Sequence, residues 1–360
     1  LIYLIKVKAP GKLYLAGEYA VVETGYPAIL VALNQFVHVS VEESHDYGSI
    51  ISRQYQEESL YWKRQGNQMI FDNRDNPFHY ILSGIKITEQ YAQTLGKKMQ
   101  CYHLKIDSEL DSPDGKKYGL GSSAAVTVAT VKALCAFYEL PVSKDELFKL
   151  AAIAHFEVQG NGSLGDIAAS VYGGYIAYHS FDREWLTLAR KEYSLNELVK
   201  LTWPQLKIEL LDPPTDLNLL IGWTGSPAST SQLVDVVGLK KAEKKAKYNL
   251  FLKESDACLQ KIIAGFHHGS LKEVQEGLQQ NHKSLQKMAQ FSNLNLETAK
   301  LQRLIKIAES FGGVAKSSGA GGGDCGIVAL NKVIDPQKVY NKWQAEGIEP
   351  LNLKVHYVVD

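Results

Sequence analysis

Residues 119–126 read GLGSSAAV and run directly into the apolar stretch TVATVKALCAFYEL. A helix N-terminus carries about half a positive charge and leaves its first four N–H groups unpaired, so a helix that starts this bare can seat an anion. Gly119 and Gly121, on either side of Leu120, would let a phosphate approach the backbone. Ser122 and Ser123 can donate hydroxyls or ligate Mg2+. Lys116 and Lys117 add charge just upstream. The same residues would also make a plain glycine turn with serine caps ahead of a buried helix. No G-x-x-x-x-G-K-[ST] occurs in the chain, which excludes a Walker A loop. A formal G-x-G-x-x-G at Gly321, Gly323 and Gly326 precedes a strand pattern instead of opening a helix, so it is no dinucleotide fingerprint.

Other segments place reactive side chains beside glycine. In KAPGKLYLAGEYAVV (8–22), Lys8 and Lys12 flank Pro10-Gly11, which predicts a turn, with Glu18 nearby; a surface hairpin with solvated lysines would look the same. In QGNGSLGDIAASVYGG (159–174), Ser163 is suited to an N-cap and Asp166 to the N3 position of a new helix, where the dipole favours the charged carboxylate. The segment KSSGAGGGDCG (316–326) holds so many glycines that close backbone approach to a ligand explains it better than turns do. GWTGSPASTSQLV (222–234) offers Ser226, Ser229, Thr230 and Ser231 at a strand-to-helix junction, as a cap or as a group facing a cleft. Arg183 is a candidate for an anionic substrate end or simply a surface arginine. The histidines make no H-E-x-x-H or carboxylate cluster, so a protein-only metal centre is not expected. Cys325 reads as a small packing residue.

These segments need a scaffold, and the periodicity supplies one. FVHVSVEE places Val37, Val39 and Val41 on one face, a half-buried strand; 103–107 and 173–180 read as further strands. Residues 76–96 have helical spacing and stop at Gly96. Ser143 and Glu146 form a capping-box signature for a helix ending before Gly160. After a strand at 217–225, the pattern predicts helices over 232–265, 270–290 and 296–311, then a strand behind the glycine-rich segment. The proline-containing run 203–216 is the expected passage between two halves, and the chain divides into domains at 1–200 and 201–360. Strands interleaved with helices in both halves indicate a two-domain α+β protein with mixed sheets.

At 360 residues, with 45% hydrophobic and 22% charged residues, the composition is that of a globular protein. Lys+Arg and Asp+Glu both number 39, so no overall field draws the chain to nucleic acid or membrane, and any anion site must be local. Four scattered cysteines without C-x-x-C indicate reduced thiols. The first residues, LIYLIKVKAPGK, do not read as a signal peptide, and no 18-residue apolar run occurs, so a cytoplasmic location is expected.

Taken together, KAPGKLYLAGEYAVV, GLGSSAAVTVA and KSSGAGGGDCGIVAL resemble the three signature motifs of the GHMP kinases, in order and across nearly the whole chain. GKKYGLGSS, NGSLGDIAAS, YHSFDREW and SSGAGGGDCGI are most similar to the branch of that family that acts on phosphomevalonate. One departure is Pro113, six residues ahead of Gly119 where the family has its proline four ahead. The resemblance implies an N-terminal mixed α/β domain of the ribosomal protein S5 domain 2-like type, a C-terminal ferredoxin-like domain and a cleft between them. It implies transfer of the γ-phosphoryl of ATP, with Mg2+ as cofactor, to phosphomevalonate; mevalonate as acceptor and a silent ATP-binding regulator stay open as alternatives. By the same resemblance Lys116, Gly119, Leu120, Gly121, Ser122, Ser123 and Ala124 hold the ATP phosphates, and Ser123 and Glu157 ligate the metal. Lys12, Asp166 and Lys117 are implied as catalytic. The implied substrate contacts are Lys12, Tyr19, Ser163, Arg183, Ser231, Ser318, Gly319, Ala320 and Gly321. A monomer or homodimer without nucleic acid or membrane partners is expected. A phosphate monoester is already mostly a dianion at pH 7, its second pKa being about 6, so Asp166 is expected to hold Lys12 or substrate hydroxyls in place, not to abstract a proton.

Overall fold

The computed structural model describes residues 4–53, 58–71, 76–112, 114–227 and 230–359, so Pro113 lies outside the described residues. The first part of the chain builds one mixed sheet. Its strands are β1 (Leu4–Ala16), β2 (Pro27–Ser44), β3 (Gly48–Ser52), β4 (Glu58–Gln65), β5 (Gln68–Phe71), β6 (Cys101–Ser108), β7 (Tyr175–His179) and β8 (Lys207–Leu211). They lie in the order β5-β4-β3-β6-β2-β7-β8, with β1 paired to β2. Only β3 and β6 run parallel; the other pairs are antiparallel. Along β2 the alternation read from sequence buries Val37, Val39 and Val41.

Helices α1 (His79–Thr94), α2 (Ser122–Phe137), α3 (Lys144–Gln159) and α4 (Gly165–Tyr172) pack on one another, and α2 and α4 rest on β1 and β2. Twelve of the sixteen residues of α2 are buried, so it is apolar all round and forms the centre of this layer. The expected capping box starts α3: Glu146 N–H donates to Ser143 Oγ at 3.2 Å and Ser143 N–H to Glu146 Oε2 at 2.8 Å, while Gly160 closes the helix in the left-handed conformation. Two short helices, α5 (Arg183–Glu192) and α6 (Leu195–Leu198), lead to β8.

The second part holds β9 (Leu217–Trp223), α7 (Thr230–Glu243), α8 (Lys245–His268), α9 (Leu271–Ser292), α10 (Ala299–Ser310), β10 (Val314–Ser317), β11 (Cys325–Asn331), α11 (Pro336–Ala345) and β12 (Glu349–Pro350). Its antiparallel sheet runs β10-β11-β9-β12, that is second, third, first, fourth, the split βαβ order of a ferredoxin-like domain. The single helix expected over 232–265 breaks at Lys244, which has φ −119°. Lys240/Lys244 and Lys241/Lys245 are like charges four residues apart, a pairing that weakens a continuous helix there.

The large sheet extends past the expected boundary at 200, because β8 pairs with β7 along Lys207–Leu211. The passage between sheets is therefore the short run Asp212–Asp216. The end of the chain then returns to the first sheet: Val355 pairs with Leu33, Tyr357 with Gly173, and His356 N–H donates to Ala32 O at 2.9 Å. Among the described residues, no helix is long and apolar enough to cross a membrane.

Candidate active site

The start of α2 is as bare as its sequence suggests. Gly121 caps it in the left-handed conformation (φ 75°) with no side-chain cap bond. Ala125 N–H bonds Gly121 O at 3.1 Å, which leaves the N–H groups of Ser122, Ser123 and Ala124 without intrahelical partners. The glycines have a second reason to be glycine. A Cβ at Gly121 would lie 2.6 Å from Lys12 Cε, and one at Gly119 would lie 2.6 Å from Asp324 Cγ. The loop is thus thin enough for a lysine from β1 and an aspartate from the glycine-rich segment to lie directly against it. Leu120 contributes its backbone: its carbonyl accepts from Lys12 N–H at 2.9 Å while its side chain is buried.

Lys8 and Lys12 do not flank a turn. They lie on one continuous strand, β1, whose register against β2 shifts between Pro10 and Lys12. Such a bulge re-aims side chains without ending the strand. Lys12 Nζ lies 5.1 Å from the Tyr14 ring centroid. Asp166 approaches from α4, at the second helical position and not the third, because Leu164 (φ 66°) takes the cap position with no side-chain cap bond. Ser163 still serves that turn: its Oγ accepts from Gly165 N–H at 3.2 Å and lies 2.9 Å from the Tyr14 hydroxyl. Asp166 Oδ1 accepts from Ile167 N–H at 3.0 Å. Burial, and then the nearby Asp166 charge, push the Tyr14 phenol far above its ordinary range, so it stays protonated.

The glycine-rich segment closes the opposite wall. Ser318 Oγ donates to Tyr14 O at 2.7 Å, and the Tyr19 hydroxyl donates to Ala320 O. Beneath it Lys316 is fully buried, its ammonium 2.5 Å from Glu18 Oε1 and 2.7 Å from Ser317 O. Cys325 is inert packing as expected: its thiol donates to Tyr118 O and burial pushes its pKa far up. Tyr19, Leu164 and Asp324, all in this cleft, are three of the six described non-glycine residues at positive φ. Backbone strain of this kind persists only where the surroundings over-determine it, which is characteristic of functional sites.

One cleft is lined by Lys12, Tyr19, Lys117, Gly119, Gly121, Ser122, Ser123, Ser163, Asp166, Ser318, Gly319 and Ala320, all of them expected from sequence. Several other expected residues are not brought to it. Lys116 points to Asp114, 3.3 Å away. Ala124 turns its side chain into the core and offers the site only its backbone N–H. Glu157 is paired with Arg190 at 2.6 Å and Lys86 at 3.2 Å, on the far side of α3 from its cleft-lining residues, which corrects its expected role as a metal ligand. Two residues along a helix is more than half a turn, so Glu157 cannot share a face with His155. Arg183 lies behind the wall and donates to Val22 O, where burial lowers its pKa. Gly321 packs against Leu296, where a Cβ would lie 2.8 Å from the Leu296 carbonyl oxygen. Ser231 falls in the first turn of α7, with its side chain outside the described residues.

The cleft also contains Glu18, noted in sequence beside Lys12, and Tyr14, His155, Gln159 and Asp324, which motif reading passed over. His155 and Gln159 are four apart on α3, a helical spacing that would have grouped them. His155 Nε2 lies 3.2 Å from Ser123 Oγ. Burial holds this imidazole below its ordinary pKa; Asp166 pulls it up and Lys12 pushes it further down. Among the described residues no cluster of three or more His, Cys, Asp or Glu could hold a metal. The oxygen donors of the cleft, Ser123 and Asp166 among them, suit a hard cation held mainly by phosphate oxygens.

Residues 79–174 match the family described as GHMP kinases N terminal domain, and residues 262–349 match GHMP kinases C terminal. The chain is 35% identical over 357 residues to a phosphomevalonate kinase of Streptomyces sp. (strain CL190), covering 96% of this chain and 95% of that protein. A crystal structure of a Lin0012 protein from Listeria innocua superposes with a TM-score of 0.93 at 37% identity, covering 98% of both chains. The Streptococcus pneumoniae phosphomevalonate kinase in complex with phosphomevalonate and AMPPNP gives a TM-score of 0.84 at 29% identity, covering 98% of this chain and 100% of that one.

Proposed function

The chain belongs to the GHMP kinase family, and from that premise we propose that it transfers the γ-phosphoryl group of ATP to the phosphate of phosphomevalonate, giving diphosphomevalonate and ADP. The observation that carries this reading is the convergence of Lys12, Lys117 and Asp166 on the open N–H groups of α2 in a single cleft. Phosphoryl transfer needs positioning and charge neutralisation more than covalent chemistry, and this cleft offers both. The N–H groups of Ser122 to Ala124 receive the ATP phosphates, with Lys117 at the rim. Lys12, laid against Gly121, reaches the transferring group and the acceptor phosphate. The Ser123 hydroxyl is the protein oxygen suited to hold Mg2+ brought in with the nucleotide, which would supply further neutralisation of phosphate charge. Tyr19, Ser163, Ser318, Gly319 and Ala320 line the acceptor side.

Asp166 acts as a positioning carboxylate. The acceptor's second pKa of about 6 makes it a dianion at pH 7, so no proton has to be removed. Asp166 sits in the first turn of α4, where its Oδ1 accepts from Ile167 N–H, so the carboxylate is tied to its own helix. Its place in the same cleft as Lys12 and Ser163 suits holding the substrate's hydroxyls.

The test is an ADP-release assay with MgATP, run in parallel on phosphomevalonate and mevalonate. Turnover with phosphomevalonate alone is expected. Turnover with mevalonate alone would overturn the acceptor assignment and return Asp166 to the role of base. Silence with both would overturn the kinase reading for these acceptors.

A further inference from the structure

The Ser123 hydroxyl can serve a cation only if its single hydrogen is directed elsewhere. A serine oxygen has one O–H donor and two lone pairs, and the rotor turns to whatever surrounds it. The structure holds the rest of Ser123 in place: its carbonyl accepts from Thr127 Oγ1 at 2.7 Å, and its N–H belongs to the open first turn of α2. The hydroxyl can still rotate, and the side chain beside it is His155, with Nε2 at 3.2 Å.

His155 is an expensive residue for its position. It is 1% exposed, on the buried face of α3. Its Nδ1 has no hydrogen-bond partner among the described residues. A buried polar atom without a partner costs stability, and an apolar side chain of similar size would avoid that cost. The ring is also held against swinging: it stacks on Tyr80 with centroids 4.9 Å apart and 30° between planes. The Tyr80 hydroxyl in turn donates to Gln159 Oε1 at 3.4 Å. A rigid imidazole whose one hydrogen bond is to Ser123 is arranged to orient that hydroxyl.

We infer that His155 is a positioning residue: its Nε2 accepts the Ser123 hydroxyl hydrogen, turning the lone pairs of that oxygen toward the cation that accompanies the nucleotide. The proton of the neutral ring is then on Nδ1. The inference rests on the kinase reading above, in which Ser123 is the protein oxygen for the metal. It assigns His155 no contact with substrate and no proton transfer.

The experiment measures binding of ADP to the full chain by calorimetry, once with Mg2+ and once in EDTA, for wild type, His155→Leu, Ser123→Ala and the double variant. His155→Leu should weaken MgADP binding by about five- to tenfold, the range of one hydrogen bond, and leave metal-free ADP binding unchanged. Added to Ser123→Ala, it should do nothing further, because the two residues act as one unit. His155→Gln, which can reach Ser123 with its amide oxygen, should recover most of the affinity, while the shorter His155→Asn should not. In kinetics the loss should fall on KM for MgATP before kcat. Equal losses with and without metal, or an undiminished His155→Leu effect in Ser123→Ala, would overturn the inference and make His155 a packing residue. If His155→Leu does not fold, the Gln and Asn pair decides, and equal behaviour of those two overturns it as well. The acceptor assay with wild type is independent: metal-dependent coupling without phosphomevalonate turnover removes the acceptor assignment alone. Wild-type ADP binding that is indifferent to Mg2+ removes this inference.

Discussion

Lys12 and Asp166 line the same cleft, and their substitution should separate neutralisation of charge from positioning. Lys12→Met removes the ammonium carried by the side chain that lies against the phosphate loop, so kcat should fall by about 10²–10³ while KM for ATP changes little. Asp166→Asn keeps shape and hydrogen bonding and removes charge, so its defect should be smaller and the same at every pH. Both enzymes, like wild type, should lose kcat/KM below about pH 6, where the acceptor phosphate takes up its proton. Steady-state rates between pH 5.5 and 9 check this. A large Asp166→Asn defect that vanishes at high pH would mean that a base is required.

At the scale of the element, the phosphate loop works because the N-cap of α2 has no side chain. Gly121→Ala places a methyl group 2.6 Å from Lys12 Cε at a residue with φ 75°, so it combines a clash with a strained backbone. The strain alone costs about 1–2 kcal/mol. Gly115 has a similar φ of 79° and nothing within 4 Å of its added Cβ, so Gly115→Ala carries the strain without the clash. Denaturant midpoints should therefore fall in both variants, and activity should fall only in Gly121→Ala. Equal activity in the two would mean that the close approach of Lys12 to the loop does not matter. Local signals of this kind were legible before the structure: the open helix start, the Ser143–Glu146 capping box and the alternation in β2 all depend on neighbours in sequence. The rest depended on residues far apart. Whether Pro10-Gly11 turns or bulges is decided by β2, which runs past it and keeps β1 paired on both sides. The family resemblance points to Glu157, and the rotation of α3 excludes it by presenting His155 to the cleft instead. Glu18 and Lys316 are 298 positions apart, and nothing local marks them as partners.

That pair acts at the scale of the whole molecule, because it joins the turn that follows β1 of the first sheet to the last residues of β10 in the second. Lys316 is fully buried and Glu18 2% exposed, so neither charge has water to fall back on. Breaking such a pair from one side costs about 3–5 kcal/mol because it strands the partner, whereas replacing both costs far less. Lys316→Met should therefore lower stability sharply, and Glu18→Gln added to it should restore part of the loss; additive losses in denaturant titrations would refute the coupling. Acid should loosen the fold by a separate route. His155, His179 and His356, on three different segments, all have pKa values lowered first by burial, with lysines adding to the effect in each case. The folded chain thus binds fewer protons than the unfolded chain, whose histidines titrate near 6.5. Wherever the unfolded state binds more protons, stability rises with pH. Their contribution is complete above about pH 6.5 and is lost as the pH falls through the lowered folded-state values. That window opens near 6.5, above the carboxylate range near 4, so the decline should begin before any salt bridge loses its acid partner. Urea titrations at pH 7.5, 6.5 and 5.5 should show the midpoint falling across this range, and His179→Phe should flatten part of the slope. A midpoint constant down to pH 5 would show that these rings are solvated when the protein folds.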